Sequence, residues 1–187
     1  MKLFLVVIFF TQLICNSLFA NTESIDLSFT QDNAKYWQYI SDRTMGGISD
    51  GGASLEQDGD MFFARLTGNV STENNGGFIQ IRTNLSFTDF EQKSKKLKGI
   101  RLNVRGNEEI YHIFIRTTET RSYRDYYSTT FKATSKWTMI ELPFSEFTHR
   151  VSNNSDLEGK NIISLGIVAY GRDFVSDVSV SNIIFYY

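Results

Sequence analysis

From Ser24 onward, apolar residues recur mainly at every second position. Ile25, Leu27 and Phe29 alternate with polar neighbours. Ile100, Leu102 and Val104 alternate with Arg101, Asn103 and Arg105, and Tyr111, Ile113 and Ile115 with His112, Phe114 and Arg116. A period of two marks a strand with one buried face. Denser apolar stretches at 61–66, 77–85, 126–133, 137–142, 165–170 and 178–187 predict further strands. About ten short strands separated by Gly, Asn and Asp turns predict an all-β sandwich or jelly roll. Residues 88–94 offer one short helical turn, and Pro143, the single proline, falls where a strand should end.

The first 20 residues follow a different pattern. Lys2 precedes an unbroken apolar run over 3–10, extended by Leu13 and Ile14, and then come Asn16, Ser17 and Ala20. This layout predicts a cleaved signal peptide, and the run is short for a membrane span. Cleavage is expected after Ala20, or after Ser17 with Cys15 three residues in from the cut. The expected organisation is a signal peptide at 1–20 and a single β-sandwich domain at 24–187. The protein would be exported, periplasmic or extracellular in a bacterial host, with no stable membrane span once the signal is gone. The net charge is −2, from 19 basic and 21 acidic residues. That balance gives no general attraction to nucleic acid or to an anionic membrane. Cys15 is the only cysteine, so the remaining chain has no disulfide and no thiolate chemistry.

Two glycine-centred segments stand out. One runs from Trp37 through Asp42, Met45, Gly46, Gly47 and Ser49; the other joins Gly68-Asn69-Val70-Ser71 to Asn74-Asn75-Gly76-Gly77-Phe78. Glycine pairs beside Asp or Asn mark tight corners or close backbone approach. On a structural reading, Gly46 and Gly47 form a corner packed under Trp37. Asp42 and Ser49 would hydrogen-bond the bent backbone, and Phe78 would enter the core. On a functional reading, the same corner contacts a ligand or partner.

These segments resemble the signature of the complex I intermediate-associated protein 30 family: a Trp, then Asp-x-x-Met-Gly-Gly-x-Ser, Gly-x-x-Ser and Asn-Gly-Gly-Phe. Arg105-Gly106-Asn107 is similar to the family's Arg-Gly-Asp-Gly turn, with Asn for Asp and Glu108 for Gly. Trp137 followed by Leu142-Pro143-Phe144-Ser145-Glu146-Phe147 is similar to its Trp…Leu-Pro-Phe-x-x-Phe segment. The chain departs from the pattern at His149-Arg150 and Asp156-Leu157, where the family often has an Arg-Gly turn and a Pro-Leu pair. The resemblance implies a galactose-binding-like β-sandwich. It also implies an assembly-factor or chaperone-like role, because eukaryotic members assist assembly of respiratory complex I (NADH:ubiquinone oxidoreductase).

Candidate binding residues come from strand periodicity. Arg101, Asn103 and Arg105 share one side of a strand, His112, Phe114 and Arg116 share one side of the next, and Gln80 and Arg82 share a side of an earlier strand. If these strands pair with matching faces, their guanidinium groups form one polar binding surface. Without a ligand, the same surface is the solvated side of a sheet. Tyr123, beside Arg121 and Arg124, has the composition of a sugar-stacking loop. Catalytic constellations are missing from the sequence: His112 and His149 lack metal-ligand spacing, and no serine sits in a Gly-x-Ser-x-Gly elbow. The expectation is a non-enzymatic macromolecule-binding protein with no catalytic residue, cofactor or metal. Its partner would be a protein, or alternatively a carbohydrate, and not a nucleic acid.

Overall fold

A computed structural model describes residues 24–85, 90–94 and 96–187. The signal-peptide expectation, Cys15 and the first part of the helical turn expected at 88–94 lie outside them. In chain order the first strands are β1 (Ser24–Asp26), β2 (Trp37–Ser41), β3 (Asp50–Asp58), β4 (Met61–Val70), β5 (Phe78–Asn84) and β6 (Gly99–Gly106). Then follow β7 (Ile110–Thr117), β8 (Tyr127–Lys132), β9 (Thr138–Pro143), β10 (Thr148–His149), β11 (Ile162–Tyr170) and β12 (Phe174–Tyr186). A short helix, α1 (Phe90–Ser94), precedes β6.

The strands make two sheets in which every pairing is antiparallel. The first has the order β3-β4-β12-β6-β9, with β1 alongside the end of β12. The second has the order β10-β8-β7-β11-β5-β2. The alternation seen in the sequence sets which side chains lie between them. From the first sheet come Leu66, Ile100, Leu102, Val104, Val180 and Phe185; from the second come Ile79, Ile81, Ile113, Ile115, Leu165 and Ile167. Burying each such side chain contributes about 1.5–3 kcal/mol, so this layer is the main source of stability. The Leu-Pro-Phe-x-x-Phe segment closes one end. Pro143 ends the edge strand β9, where no ladder hydrogen bond is lost, and Phe144 and Phe147 are buried edge to face at 5.8 Å.

β2, β3 and β10 were not anticipated as strands. β3 reads Asp-Gly-Gly-Ala-Ser-Leu-Glu-Gln-Asp and has no fully buried residue, with only Leu55 packed against the core, so no apolar period marks it. Two expectations about the glycine corner are corrected. Trp37 packs on Phe29 at 4.7 Å, at the start of β2, while the corner follows the end of that strand. Trp37 therefore does not cover Gly46. Phe78 does not enter the core either: its neighbour Ile79 faces inward, so Phe78 projects from the outer face of the second sheet. No helix among the described residues is long and apolar enough to cross a membrane.

Candidate functional site

Asp42 organises the site although it does not line it. It begins the 3-10 turn Asp42–Met45 and is fully buried. Its Oδ1 accepts the Ser49 N–H at 3.0 Å. Its Oδ2 accepts the Ser49 hydroxyl, the Gly77 N–H at 2.6 Å and the Phe78 N–H at 3.1 Å. Ser49 Oγ in turn accepts the Ser71 N–H at 3.0 Å. One carboxylate thus joins the Met-Gly-Gly-x-Ser segment to the Asn-Gly-Gly-Phe segment. Burial alone would raise its pKa; the Ser49 hydroxyl and the three backbone N–H groups outweigh that and hold it below the ordinary value. A Cβ on Gly47 or Gly76 would overlap the carboxylate, which explains a glycine at each place.

The two segments joined by Asp42 form one wall of a cleft of about 480 Å³ on the outer face of the second sheet. Thr44 and Met45 come from the first segment, and Asn75, Gly76 and Phe78 from the second. The floor follows the strand register. Gln38 pairs with Arg82 and Arg82 with Gly166, while Gly166 also pairs with Phe114. In the next row Asn84 pairs with Ser164 and Ser164 with Arg116. Gly166 is buried, and the Gln80 side chain lies over it and forms that part of the floor. The far wall holds Tyr123, Arg124, Tyr126 and Tyr170. Tyr126 stacks on Phe114 with ring centroids 4.0 Å apart, whereas Tyr123 stands 57% exposed. The Tyr126 hydroxyl bonds to Tyr170 and Arg150; burial, then the Tyr170 bond, pushes its pKa up to about 12.

The single arginine face expected from periodicity is divided. Arg82 and Arg116 line the cleft with Tyr123. His112 is on the same outer face, its ring 5.4 Å from Tyr170 and 5.9 Å from Phe114. Burial, then Arg172, lowers its pKa. Arg101 and Arg105 belong to β6 in the first sheet, on the opposite side of the domain. β6 and β7 follow each other in sequence but do not pair, because the Gly106-Asn107 segment crosses between sheets. There Tyr111 Oη donates to Asn107 at 2.6 Å and accepts the Asp177 N–H at 2.8 Å. Arg101 donates to Glu141 at 2.8 Å and lies over Tyr186. Arg105 lies over Trp137 and Phe63. Both are engaged by neighbours on their own sheet.

Of the other motif residues, Met45, Asn75, Gly76 and Phe78 line the cleft, while Asp42, Gly46, Gly47, Ser49 and Gly77 shape its wall. Trp37, Trp137, Pro143, Phe144 and Phe147 pack elsewhere in the sandwich. Sequence reasoning placed Gln80 and Phe114 on the candidate face without choosing them as binding residues, and it missed Tyr170. Phe114, an aromatic between His112 and Arg116 on the polar side of its strand, was a usable signal. A second cavity, of about 650 Å³, contains Asp125, His149, Ser152, Asp156 and Lys160. Its groups bond to one another: His149 bridges Asp125 and Ser152, and Lys160 pairs with Glu119 and Asp156.

The chain belongs to the complex I intermediate-associated protein 30 family, whose sequence profile matches residues 27–177. No curated protein sequence matches it. Among solved structures it is similar to a family 11 carbohydrate-binding module of a cellulosomal cellulase of Clostridium thermocellum, with 16% identity, a TM-score of 0.69, and coverage of 88% of this chain and 94% of that one. The same family in complex with a β-1,3-1,4-mixed-linked tetrasaccharide gives 16% identity, a TM-score of 0.66, and coverage of 87% and 94%. A family 30 carbohydrate-binding module gives 13% identity, a TM-score of 0.56, and coverage of 79% and 80%. At these identities the likeness is one of fold.

Proposed function

We propose that this protein is a non-enzymatic binding module that holds a saccharide chain in the cleft of the second sheet. The observation that carries the reading is the composition of the cleft. Phe78, Phe114, Tyr123 and Tyr170 offer ring surface, and Asn75, Gln80 and Thr44 offer groups that both donate and accept hydrogen bonds. A pyranose ring requires both, because its C–H face packs on an aromatic plane and its rim of hydroxyls needs polar partners. The volume falls within the range of about 300–1,000 Å³ usual for such sites. The likeness in fold to carbohydrate-binding modules is in keeping with this. Hydrolysis has no place in the reading: glycosidases act through paired carboxylates, and no Asp or Glu lines the cleft among the described residues.

The second reading is an assembly factor with a protein partner, and family membership favours it. In either case the apolar run over 3–10 supports export. N-terminal sequencing of protein from its host tests that, with Leu18 or Asn21 expected as first residue and intact Met1 contradicting it.

Calorimetric titration with a panel of neutral and acidic hexasaccharides separates the two functions. The saccharide reading expects at least one class to bind, about tenfold more weakly to Tyr123→Ala through loss of a stacking surface. Exposed Tyr123 can be removed without unfolding the domain. Failure of the whole panel, together with capture of a protein partner that Tyr123→Ala leaves intact, would contradict it.

A further inference from the structure

We infer that the saccharide taken by this cleft is acidic, carrying carboxylate or sulfate groups on its rings. The inference rests on the saccharide reading above and narrows it.

The first observation is local charge. Arg82, Arg116 and Arg124 line the cleft and no acidic residue does, although the chain as a whole carries a net charge of −2. A guanidinium only donates hydrogen bonds, five of them in a planar fork that matches a carboxylate or sulfate. A ligand made only of hydroxyls would use that fork poorly.

The second is the contrast with arginines elsewhere. On the first sheet Arg65 holds Asp177 through two bonds of 2.9 Å, and Arg101 holds Glu141. Arg43 pairs with Asp50 at 3.3 Å, and Arg172 pairs with Glu109. Arg82 and Arg116 have no carboxylate partner among the described residues. Arg116 is fixed by donation from Nη2 to the Tyr123 carbonyl at 2.9 Å, while its Nε is buried with no partner. Burial first, and then the nearby charge of Arg82, work against its protonated form. Arg116 is thus partly desolvated beside a second cation, with Tyr126 and Asp125 offsetting part of that cost.

The third is placement. Arg82 on β5 and Arg116 on β7 stand on either side of β11 and one row apart along it, about 12 Å between their backbones at ordinary strand dimensions. Between them β11 presents only Gly166 and Ser164. The two guanidinium-bearing residues therefore flank a floor on which Gln80 covers Gly166, with Phe114 beside it and Tyr123 at the rim. Because the cleft lies on a sheet face and not along an edge strand, a peptide could not add to it as a further strand. The aromatic surroundings favour a sugar ring bearing the acid.

The test compares galacturonate and mannuronate hexasaccharides, and a sulfated glycosaminoglycan hexasaccharide, with the same uronate chains after their carboxylates are reduced to hydroxymethyl groups. Calorimetry is run at low and high salt. An acidic chain is expected to bind the wild-type protein about tenfold or more tightly than its neutral counterpart, and to weaken with salt. Arg82→Gln should abolish the preference, Arg116→Lys should reduce it, and Arg101→Gln should leave it unchanged. The uronate and sulfate arms identify which anion is preferred. The comparison on the wild-type protein stands even if a variant fails to fold. Equal or tighter binding of neutral chains, lost with Tyr123→Ala but unaffected by Arg82→Gln, would overturn the acidic assignment and leave the saccharide reading standing. Binding of poly-glutamate through Arg82 with no response to any saccharide would overturn both.

Discussion

The carboxylate of Asp42 accepts the backbone N–H of Gly77 at 2.6 Å, across 35 residues of sequence. That bond, with its companions to Ser49 and Phe78, fixes the position of Phe78 and the wall in which Met45, Asn75 and Gly76 stand. The glycine-rich motif therefore serves the cleft through a buried acid that a ligand never touches.

Asp42→Ala would leave three backbone N–H groups without their acceptor, and the Ser49 hydroxyl with only the Ser71 carbonyl. Removing one partner from a buried charged network destabilises by about 3 kcal/mol or more. Urea unfolding is expected to show a loss of that order, and Asp42→Asn a smaller one. A loss within experimental error would mean that the segments are held by other contacts.

The pH dependence has a definite sign. The folded-state pKa of Asp42 is lowered: burial opposes ionisation, but Ser49 and the N–H groups of Gly77, Phe78 and Ser49 prevail. The unfolded chain, with an aspartate near 3.9, binds the proton more readily. The stabilisation is fully present above about pH 4 and is lost as pH falls through the folded-state value. Asp177, held down by its bonds to Arg65, acts in the same direction. Unfolding free energies of wild type and Asp42→Asn should therefore keep a constant gap from about pH 7 to 5 and converge as pH falls below about 4. A gap that stays constant below about pH 4 as well would place the Asp42 pKa at its ordinary value.

Gly47→Ala and Gly76→Ala each drive a methyl group into the Asp42 carboxylate. Gly77→Val forces a branched residue to adopt a φ of +121°. Each should lower the melting temperature by several degrees, equivalent to about 1–3 kcal/mol. Unchanged melting with loss of ligand would show that these glycines act at the ligand and not in the fold.

The arginines on the two sheets should behave differently. Arg101→Ala removes a half-exposed, solvent-screened pair with Glu141 and should leave both the fold and ligand capture intact. Arg116→Ala removes a cleft residue and should weaken capture. Equal effects from both substitutions in a binding titration would contradict the division of the face.

The one-sided burial of β6 and β7 was legible because Ile100, Leu102, Val104, Ile113 and Ile115 fall at period two. Their membership of different sheets was not. Periodicity records which side chains are buried, and both strands bury an alternate row whether they pair or cross the sandwich. Phe78 was misread for a related reason: its hydrophobicity suits either the core or a cleft, and only its register beside Tyr170 decides. The motif identified the family from local residues, but the bond from Asp42 to Gly77 depends on a corner that brings distant segments together.

The most direct measurement of the central claim is a backbone amide NMR titration of the protein with the saccharide that binds it most tightly. The account predicts shifts confined to residues 40–45, 75–82, 114–116, 123–126 and 164–170, with Arg101 and Arg105 unmoved. Shifts clustered on β6 and β9, or no shifts with any saccharide, would contradict it.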